Sequence, residues 1–217
     1  MCIRDSSRTT GTPITFRTGG TSLSGQSIGT GIIAEVLYDW QRFKILDNGL
    51  STKMQPGVYG GFINKILEPF HRRIGPDPAS INSARIGGIV SNNSSGMVCG
   101  TEFNSYHTLK DISFILPNGN MYSTERPNEY QKFCMNEPEL ANGLKNIRKE
   151  IINNDVLFNK IRNKYRIKNT IGYSMNALID YEHPLDIFSH LLVGAEGTLA
   201  FISDVTLNTI PAPPNTV

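Results

Sequence analysis

Thr15-Phe16-Arg17-Thr18-Gly19-Gly20-Thr21-Ser22-Leu23-Ser24-Gly25-Gln26 joins a short apolar run to a turn of glycines and hydroxyls, with no bulky side chain from Thr18 to Ser22. Such a turn lets consecutive backbone N–H groups point at one anion, which is what a diphosphate requires. Gly19 and Gly20 permit positive φ and close approach of a ligand. Thr21, Ser22 and Ser24 add hydroxyl donors and Arg17 a charge. By itself the stretch reads equally as a polar surface turn.

Downstream, residues 32–37 predict a strand, Ile-Ile-Ala-Glu-Val-Leu. Gly29-Thr30-Gly31-Ile32-Ile33-Ala34 spells the G-x-G-x-x-A form of the dinucleotide fingerprint. That fingerprint needs a strand before it and a helix after it; no strand is expected before it here and the residues after it favour a strand, so it is read as a decoy. Asn48-Gly49 predicts a hairpin between 43–46 and 50–55, stopped by Pro56-Gly57. Phe62, Ile63, Ile66, Leu67 and Phe70 lie at helical spacing over 60–70.

Gly75-Pro76-Asp77-Pro78-Ala79-Ser80 and the run from Ala84 to Met97, Ala-Arg-Ile-Gly-Gly-Ile-Val-Ser-Asn-Asn-Ser-Ser-Gly-Met, form the richest functional stretch. Two prolines fix φ around Asp77, and the small residues beyond let a backbone lie flat against something large. Segments of this length without regular structure usually bind something. Residues 109–116 and 120–124 flank Asn118-Gly119 as a strand–turn–strand. After a polar interval, Leu140, Leu144, Ile147, Ile151, Phe158, Ile161 and Tyr165 predict two helices over 138–166, broken near Asn153-Asn154-Asp155. Arg162, Lys164, Arg166 and Lys168 read as a solvated basic face or as an attractor for acidic ligands. A helix over 184–192 and a final strand pair, 199–202 and 205–210, are expected around the Val193-Gly194-Ala195-Glu196-Gly197-Thr198 turn. That turn closes a corner or contacts a ribose.

The 217 residues suffice for one ordinary core or two small lobes. A formal charge of +2 is too small to suggest a nucleic-acid or membrane partner. Cys2, Cys99 and Cys134 form no CxxC pair, and no run of about 18 apolar residues or signal-like segment occurs, so a cytoplasmic, reducing setting is expected. His71, His107, His183 and His190 sit at no metal-ligand spacing, no metal site is expected, and no catalytic residue can be assigned. Residues 1–8 show no periodicity and 211–217 read as a linker, so a fragment is expected, with 1–8 non-native.

Taken in order, these stretches resemble the FAD-binding domain of FAD-linked oxidases, the vanillyl-alcohol-oxidase or PCMH-type fold, on the branch of the D-lactate and D-2-hydroxyglutarate dehydrogenases. Phe16 to Gln26 resembles the family's pyrophosphate loop, implying cofactor contacts from Arg17, Thr18, Gly19, Gly20, Thr21, Ser22, Gly25 and Gln26. Pro76, Asp77, Ala79, Ser80, Gly87 and Gly88 resemble its second flavin and phosphate segment, continued by Asn92, Asn93, Gly96, Gly100 and Thr101. Tyr173 to Leu178 continues the likeness, and Glu196 and Gly197 fall where the family lays the adenosine half; Pro56, Gly57 and Ile202 complete the implied contacts.

The resemblance implies an α+β domain of two α/β lobes over residues 9–214, truncated at its N-terminus, with a first lobe over about 9–116 and a second over about 117–210. FAD would lie between them. Gly19, Pro76, Gly87 and Gly197 are therefore expected to share one groove. Thr21 and Ser22 stand where covalent members carry a histidine, which implies non-covalent FAD. The implied reaction is hydride transfer from C2 of a small-molecule D-2-hydroxy acid to flavin, leaving a 2-oxo acid. Alternatives are a glycolate or alcohol oxidase of the same fold, or a non-catalytic FAD-binding or assembly subunit. The family's cap domain has no counterpart in this sequence, and iron–sulfur modules are implied only beyond it. The electron acceptor is not assigned, and the setting implied is cytoplasmic, with peripheral contact to the inner membrane as a variant.

Overall fold

The computed structural model describes residues 3–213; Met1, Cys2 and 214–217, which belong to the start expected to be non-native and to the expected linker, lie outside the described residues. The chain runs α1 (Ile3–Thr10), β1 (Ile14–Arg17), β2 (Ile32–Glu35), β3 (Phe43–Leu46), β4 (Ser51–Met54), α2 (Gly60–Leu67), β5 (Arg72–Ile74), α3 (Ile86–Asn92), α4 (Ser105–Thr108), β6 (Leu109–Ile115) and β7 (Met121–Ser123). It continues through α5 (Pro127–Asn136), α6 (Pro138–Ile152), α7 (Asp155–Lys164), α8 (Ala177–Asp180), α9 (Pro184–Leu192) and β8 (Phe201–Pro211).

Two sheets result. β1 and β2 pair in parallel, Ile14 opposite Ile32 and Arg17 opposite Glu35. Their crossover is the glycine loop itself, 18–31, where a helix is usual. A strand thus does precede the fingerprint-like glycines, contrary to expectation, but β2 follows Gly31 directly and no helix opens there. The larger sheet has the order β3-β4-β8-β6-β7, with β5 also on β8. β8 is antiparallel to β4, β6 and β5.

Turn chemistry places the hairpins. Between β3 and β4, Asn48 and Gly49 take φ of 51° and 88°, and between β6 and β7 Gly119 takes 93°, the left-handed values that Asn and Gly tolerate. The expected helix over 60–70 is α2 followed by a 3₁₀ turn over Glu68–Phe70. The expected pair over 138–166 is α6 and α7, and the side chain of Asn154 caps α7 by accepting from Leu157 N at 3.1 Å.

Several expectations are corrected. Residues 3–10 form α1, where Thr9 and Thr10 hydroxyls donate to the Asp5 and Ser6 carbonyls one turn back, each at 2.9 Å. The polar interval contains α5, whose buried aromatic anchor is Phe133. The final strand pair is one continuous strand, β8: Ser113 and Phe114 of β6, neighbours in sequence, face Asp204 and Ile202, so Ser203 is an extra residue that bulges β8 where the break was expected. Pro211 belongs to β8, opposite Arg72, and not to a linker. The lobe boundary expected near 116–117 falls inside the larger sheet, between β6 and β7.

One face of this sheet packs on helices. Phe114 and Phe133 meet Phe188 of α9, with Phe114 and Phe188 ring centroids 5.2 Å apart, Tyr122 packs on both Phe114 and Phe133, and every residue of α9 but Asp186 is buried. Ile63, Leu67, Ile86 and Ile89, all essentially inaccessible, carry α2 and α3 into the same core. Among the described residues no helix is long and apolar enough to cross a membrane.

Candidate functional site

β1 ends at Arg17 and releases the glycine loop over a groove of about 350 Å³. Thr18, Gly20, Ser22 and Gln26 form one wall; Gly87, Gly88 and Asn92 of α3 face it, and Glu196 and Gly197 close it. Segments separated by more than a hundred residues thus share one concavity. A chain of side-chain hydrogen bonds ties them together. The Ser22 hydroxyl meets Gln26 Oε1, Gln26 Nε2 donates to Glu196 Oε1 at 3.4 Å, Asn92 Nδ2 donates to the same oxygen, and Ser94 donates to Asn92 Oδ1 at 2.8 Å.

Glu196 is held with φ of 54° while its N–H donates to the Ser91 carbonyl at 2.8 Å. Non-glycine residues in this region cost free energy and cluster at functional sites. The groove floor is apolar. Phe16 and Phe201 lie with ring centroids 4.5 Å apart, Trp40 meets Phe201 edge-on at 5.1 Å, and Val36, Ile89, Ala200 and Ile202 complete the lining. These aromatic residues escaped the sequence reading, because Phe201 reaches Phe16 only when β8 has crossed the sheet.

Of the sequence-predicted residues, Arg17, Thr18, Gly20, Thr21, Ser22, Gln26, Pro56, Ser80, Gly87, Gly88, Asn92, Glu196, Gly197 and Ile202 line this groove. Gly25 lies in the same loop with φ of 83°, and its carbonyl accepts from Ile28 N at 3.2 Å. The others are placed elsewhere. Gly19 lines a second cleft on the loop's other side; a Cβ there would stand 2.8 Å from the Ser83 carbonyl, so its small size lets the loop rest on that backbone. Gly57 donates to the Trp40 carbonyl at 2.8 Å, and its own carbonyl accepts from Arg85 at 2.6 Å.

Pro76 is buried outside both clefts, and Ala79 is exposed outside them, so the single groove expected for Gly19, Pro76, Gly87 and Gly197 contains only the last two. The Asp77 carboxylate accepts from the N–H groups of Gly96 (2.7 Å), Val98 (3.0 Å) and Cys99 (3.2 Å). It is an internal anion for a backbone nest. Burial alone would raise its pKa, but these donors outweigh burial and hold it below the ordinary carboxylate value. Gly96 packs on Asp77, Gly100 and Thr101 follow on the same loop away from the groove, and Asn93 caps α3 at φ 50° with its Oδ1 accepting from Tyr106 N at 3.2 Å. Arg17, expected to supply free charge, is ion-paired with Glu35 across β1 and β2.

A family model described as "FAD binding domain" matches residues 4–125, more than half of the chain. The chain belongs to this family. It is 27% identical over 208 residues to D-2-hydroxyglutarate dehydrogenase of Pantoea ananatis (strain AJ13355), covering 92% of this chain and 20% of that protein. The Escherichia coli (strain K12) enzyme of the same name is 26% identical over 207 residues, covering 89% and 19%. Among solved structures, 6-hydroxy-D-nicotine oxidase from Arthrobacter nicotinovorans superposes with a TM-score of 0.59 at 13% identity, covering 96% of this chain and 33% of that one. The glucooligosaccharide oxidase of Acremonium strictum gives 0.59 at 15%, covering 97% and 32%.

The family makes this an FAD-binding domain, and it shares the PCMH-type α+β fold of those oxidase structures; the curated relatives it is similar to are D-2-hydroxyglutarate dehydrogenases. The chain spans about a fifth of the length of those curated relatives and about a third of those solved structures.

Proposed function

We propose that this chain is the FAD-binding portion of an oxidoreductase that converts a D-2-hydroxy acid, D-lactate or D-2-hydroxyglutarate, to the 2-oxo acid. The observation that carries the reading is the convergence of the glycine loop, α3 and the 194–198 turn on one groove, linked through Glu196. The residues present fit a flavin dinucleotide. Gly20 and Gly197 expose backbone at φ of 63° and 73°, and a Cβ at Gly197 would meet open space. Hydroxyls of Thr21, Ser22 and Ser24 line the same side as donors for a diphosphate. The carboxylate of Glu196, an acceptor only, suits ribose hydroxyls rather than phosphate. Phe16, Val36, Ile89, Phe201 and Ile202 offer the apolar wall that excludes water from a ring system.

When bound, FAD supplies the acceptor for the C2 hydride, and the hydroxyl proton leaves to a base. This chain's residues bind and orient. Among the described residues the groove lining contains no histidine, and Arg17, its one Arg or Lys side chain, is paired with Glu35. The base and the substrate-carboxylate clamp therefore belong to parts of the enzyme outside this groove. The Acremonium strictum structure is described as revealing a novel flavinylation. Neither histidine nor cysteine lines the groove here, which supports non-covalent FAD.

Titration of the 217-residue chain with FAD, followed by quenching of flavin fluorescence, should give saturable binding, and acid denaturation should release all of the flavin. Absence of saturation would remove the cofactor assignment. For the substrate, anaerobic addition of D-lactate, D-2-hydroxyglutarate and glycolate to the FAD-loaded full-length enzyme should bleach the flavin with the D-2-hydroxy acids. Bleaching by glycolate alone would assign the related oxidase instead.

A further inference from the structure

Arg85 immediately precedes α3 and is only 6% exposed. A buried guanidinium is costly unless an anion compensates it. Its partners in the chain are all neutral: Nη1 donates to the Gly57 carbonyl at 2.6 Å and the Leu37 carbonyl at 3.5 Å, and Nη2 donates to the Tyr59 hydroxyl at 2.8 Å. The guanidinium also lies 4.1 Å from the Tyr59 ring centroid. Among the described residues no carboxylate pairs with it.

Arg85 lines the second cleft, a space of about 630 Å³ behind the glycine loop. Two other ionisable groups line that cleft besides Tyr59, Arg17 and Glu35, and these neutralise each other as an ion pair. The charge left uncompensated is that of Arg85. Thr18, Ser27 and Asn82 add neutral hydrogen-bonding side chains around it. Gly19 rests on the Ser83–Arg85 backbone, with an added Cβ 2.8 Å from Ser83 O and 3.5 Å from Arg85 N, so the loop separates this cleft from the groove of Glu196.

We propose that this second cleft is an oxyanion site built on Arg85, taking phosphate or a carboxylate separately from the dinucleotide in the groove. The carbonyl and hydroxyl bonds fix the guanidinium plane in advance. A guanidinium has five N–H donors in a rigid fork, and those not engaged by Gly57, Leu37 and Tyr59 are what an oxyanion would accept from. The inference stands on the apoprotein and does not require the substrate assignment above.

Thermal unfolding of the apo chain in sodium phosphate, sodium D-lactate and sodium chloride at matched ionic strength tests it. A saturable rise in Tm is expected with phosphate or D-lactate and not with chloride, about 3–6 °C at ten times Kd. Comparison of the two arms tells a phosphate site from a carboxylate site. Arg85→Gln should remove the rise, and Arg166→Gln, at an exposed residue that lines neither cleft, should keep it. Because Arg85 also ties Gly57 and Tyr59, Arg85→Gln can fail to fold. Arg85→Lys, which keeps the charge and loses the fork, should then weaken the ³¹P line broadening of inorganic phosphate seen with the parent protein. No saturable response in the parent protein to either anion would overturn the proposal. So would an unchanged response in a folded Arg85 variant. Saturating FAD should leave the response intact; its loss would show the anion to be the cofactor's own diphosphate and overturn a separate site, while FAD binding itself is read independently by fluorescence.

Discussion

At Gly20 the constraint is the backbone. Its φ is 63°, and an added Cβ would meet the Arg17 side chain at ordinary contact distance, Cδ at 3.6 Å and Cγ at 3.9 Å. A β-branched residue held there costs about 1–2 kcal/mol, so Gly20→Val should weaken FAD binding roughly tenfold or more in a fluorescence titration. Wild-type affinity would detach the loop from the site. Arg17→Ala should cost little, because its charge is already spent on an exposed pair with Glu35. Asp77 acts on the loop and not on a ligand. Removing a charged acceptor of three N–H groups in Asp77→Ala should lower stability by about 2–3 kcal/mol and open residues 96–99 to proteolysis; an equally resistant loop would refute the clamp. Cys99 sits beside it with a thiol pKa pushed up by burial and by the Asp77 carboxylate, which accounts for its place as a packing residue and not a nucleophile.

At the scale of elements, α9 sets the pH response. His190 is buried on this helix, its Nδ1–H donating to the Asp186 carbonyl at 2.9 Å and its ring stacked 3.8 Å from that of Tyr181. Burial lowers its pKa below 6.5; Asp186 and Asp180 pull the other way without overcoming burial, and His107 adds to the lowering. His183 starts the helix with Nδ1 accepting from Leu185 N at 3.1 Å, and burial lowers its pKa as well. The folded state therefore binds fewer protons than the unfolded one. Stability from both groups is complete above about pH 6.5 and is lost as pH falls from there through the lowered folded values. Urea unfolding between pH 7.5 and 5, values chosen to bracket the ordinary histidine range of about 6.5, should show the loss, and His190→Gln should flatten it. An identical slope in that variant would exclude His190 as a source.

The whole molecule closes on β8, which pairs with β4, β5 and β6 and carries Phe201 and Ile202 into the groove. Leu207 is fully buried in the part of β8 that pairs with both β4 and β6. Leu207→Ala should cost about 2–5 kcal/mol and lower the transition of sheet and groove together, as read by circular dichroism and by FAD-induced thermal shift. A lost groove with an unchanged melting curve would mean that the two are not one cooperative unit.

Much of this was legible in residue order. Asn48-Gly49 and Asn118-Gly119 predicted their hairpins, the apolar spacing of α2, α6, α7 and α9 predicted those helices, and the glycine and hydroxyl run of 18–26 marked the loop that walls the groove. Such signals act within a few residues, so the chain carries them before it folds. α5 was missed because its apolar residues are too few for a helical period around Phe133. Pro76 and Asp77 looked like ligand contacts, since a backbone nest and its own carboxylate are indistinguishable from a binding motif until the loop closes. Which glycines face the groove, that Glu196 bonds Gln26 and Asn92, and that Arg85 is buried without an acid were decided only by tertiary structure. Those relations join residues far apart in the chain, and their geometry is set by how β8 draws the sheet shut, which no local pattern encodes.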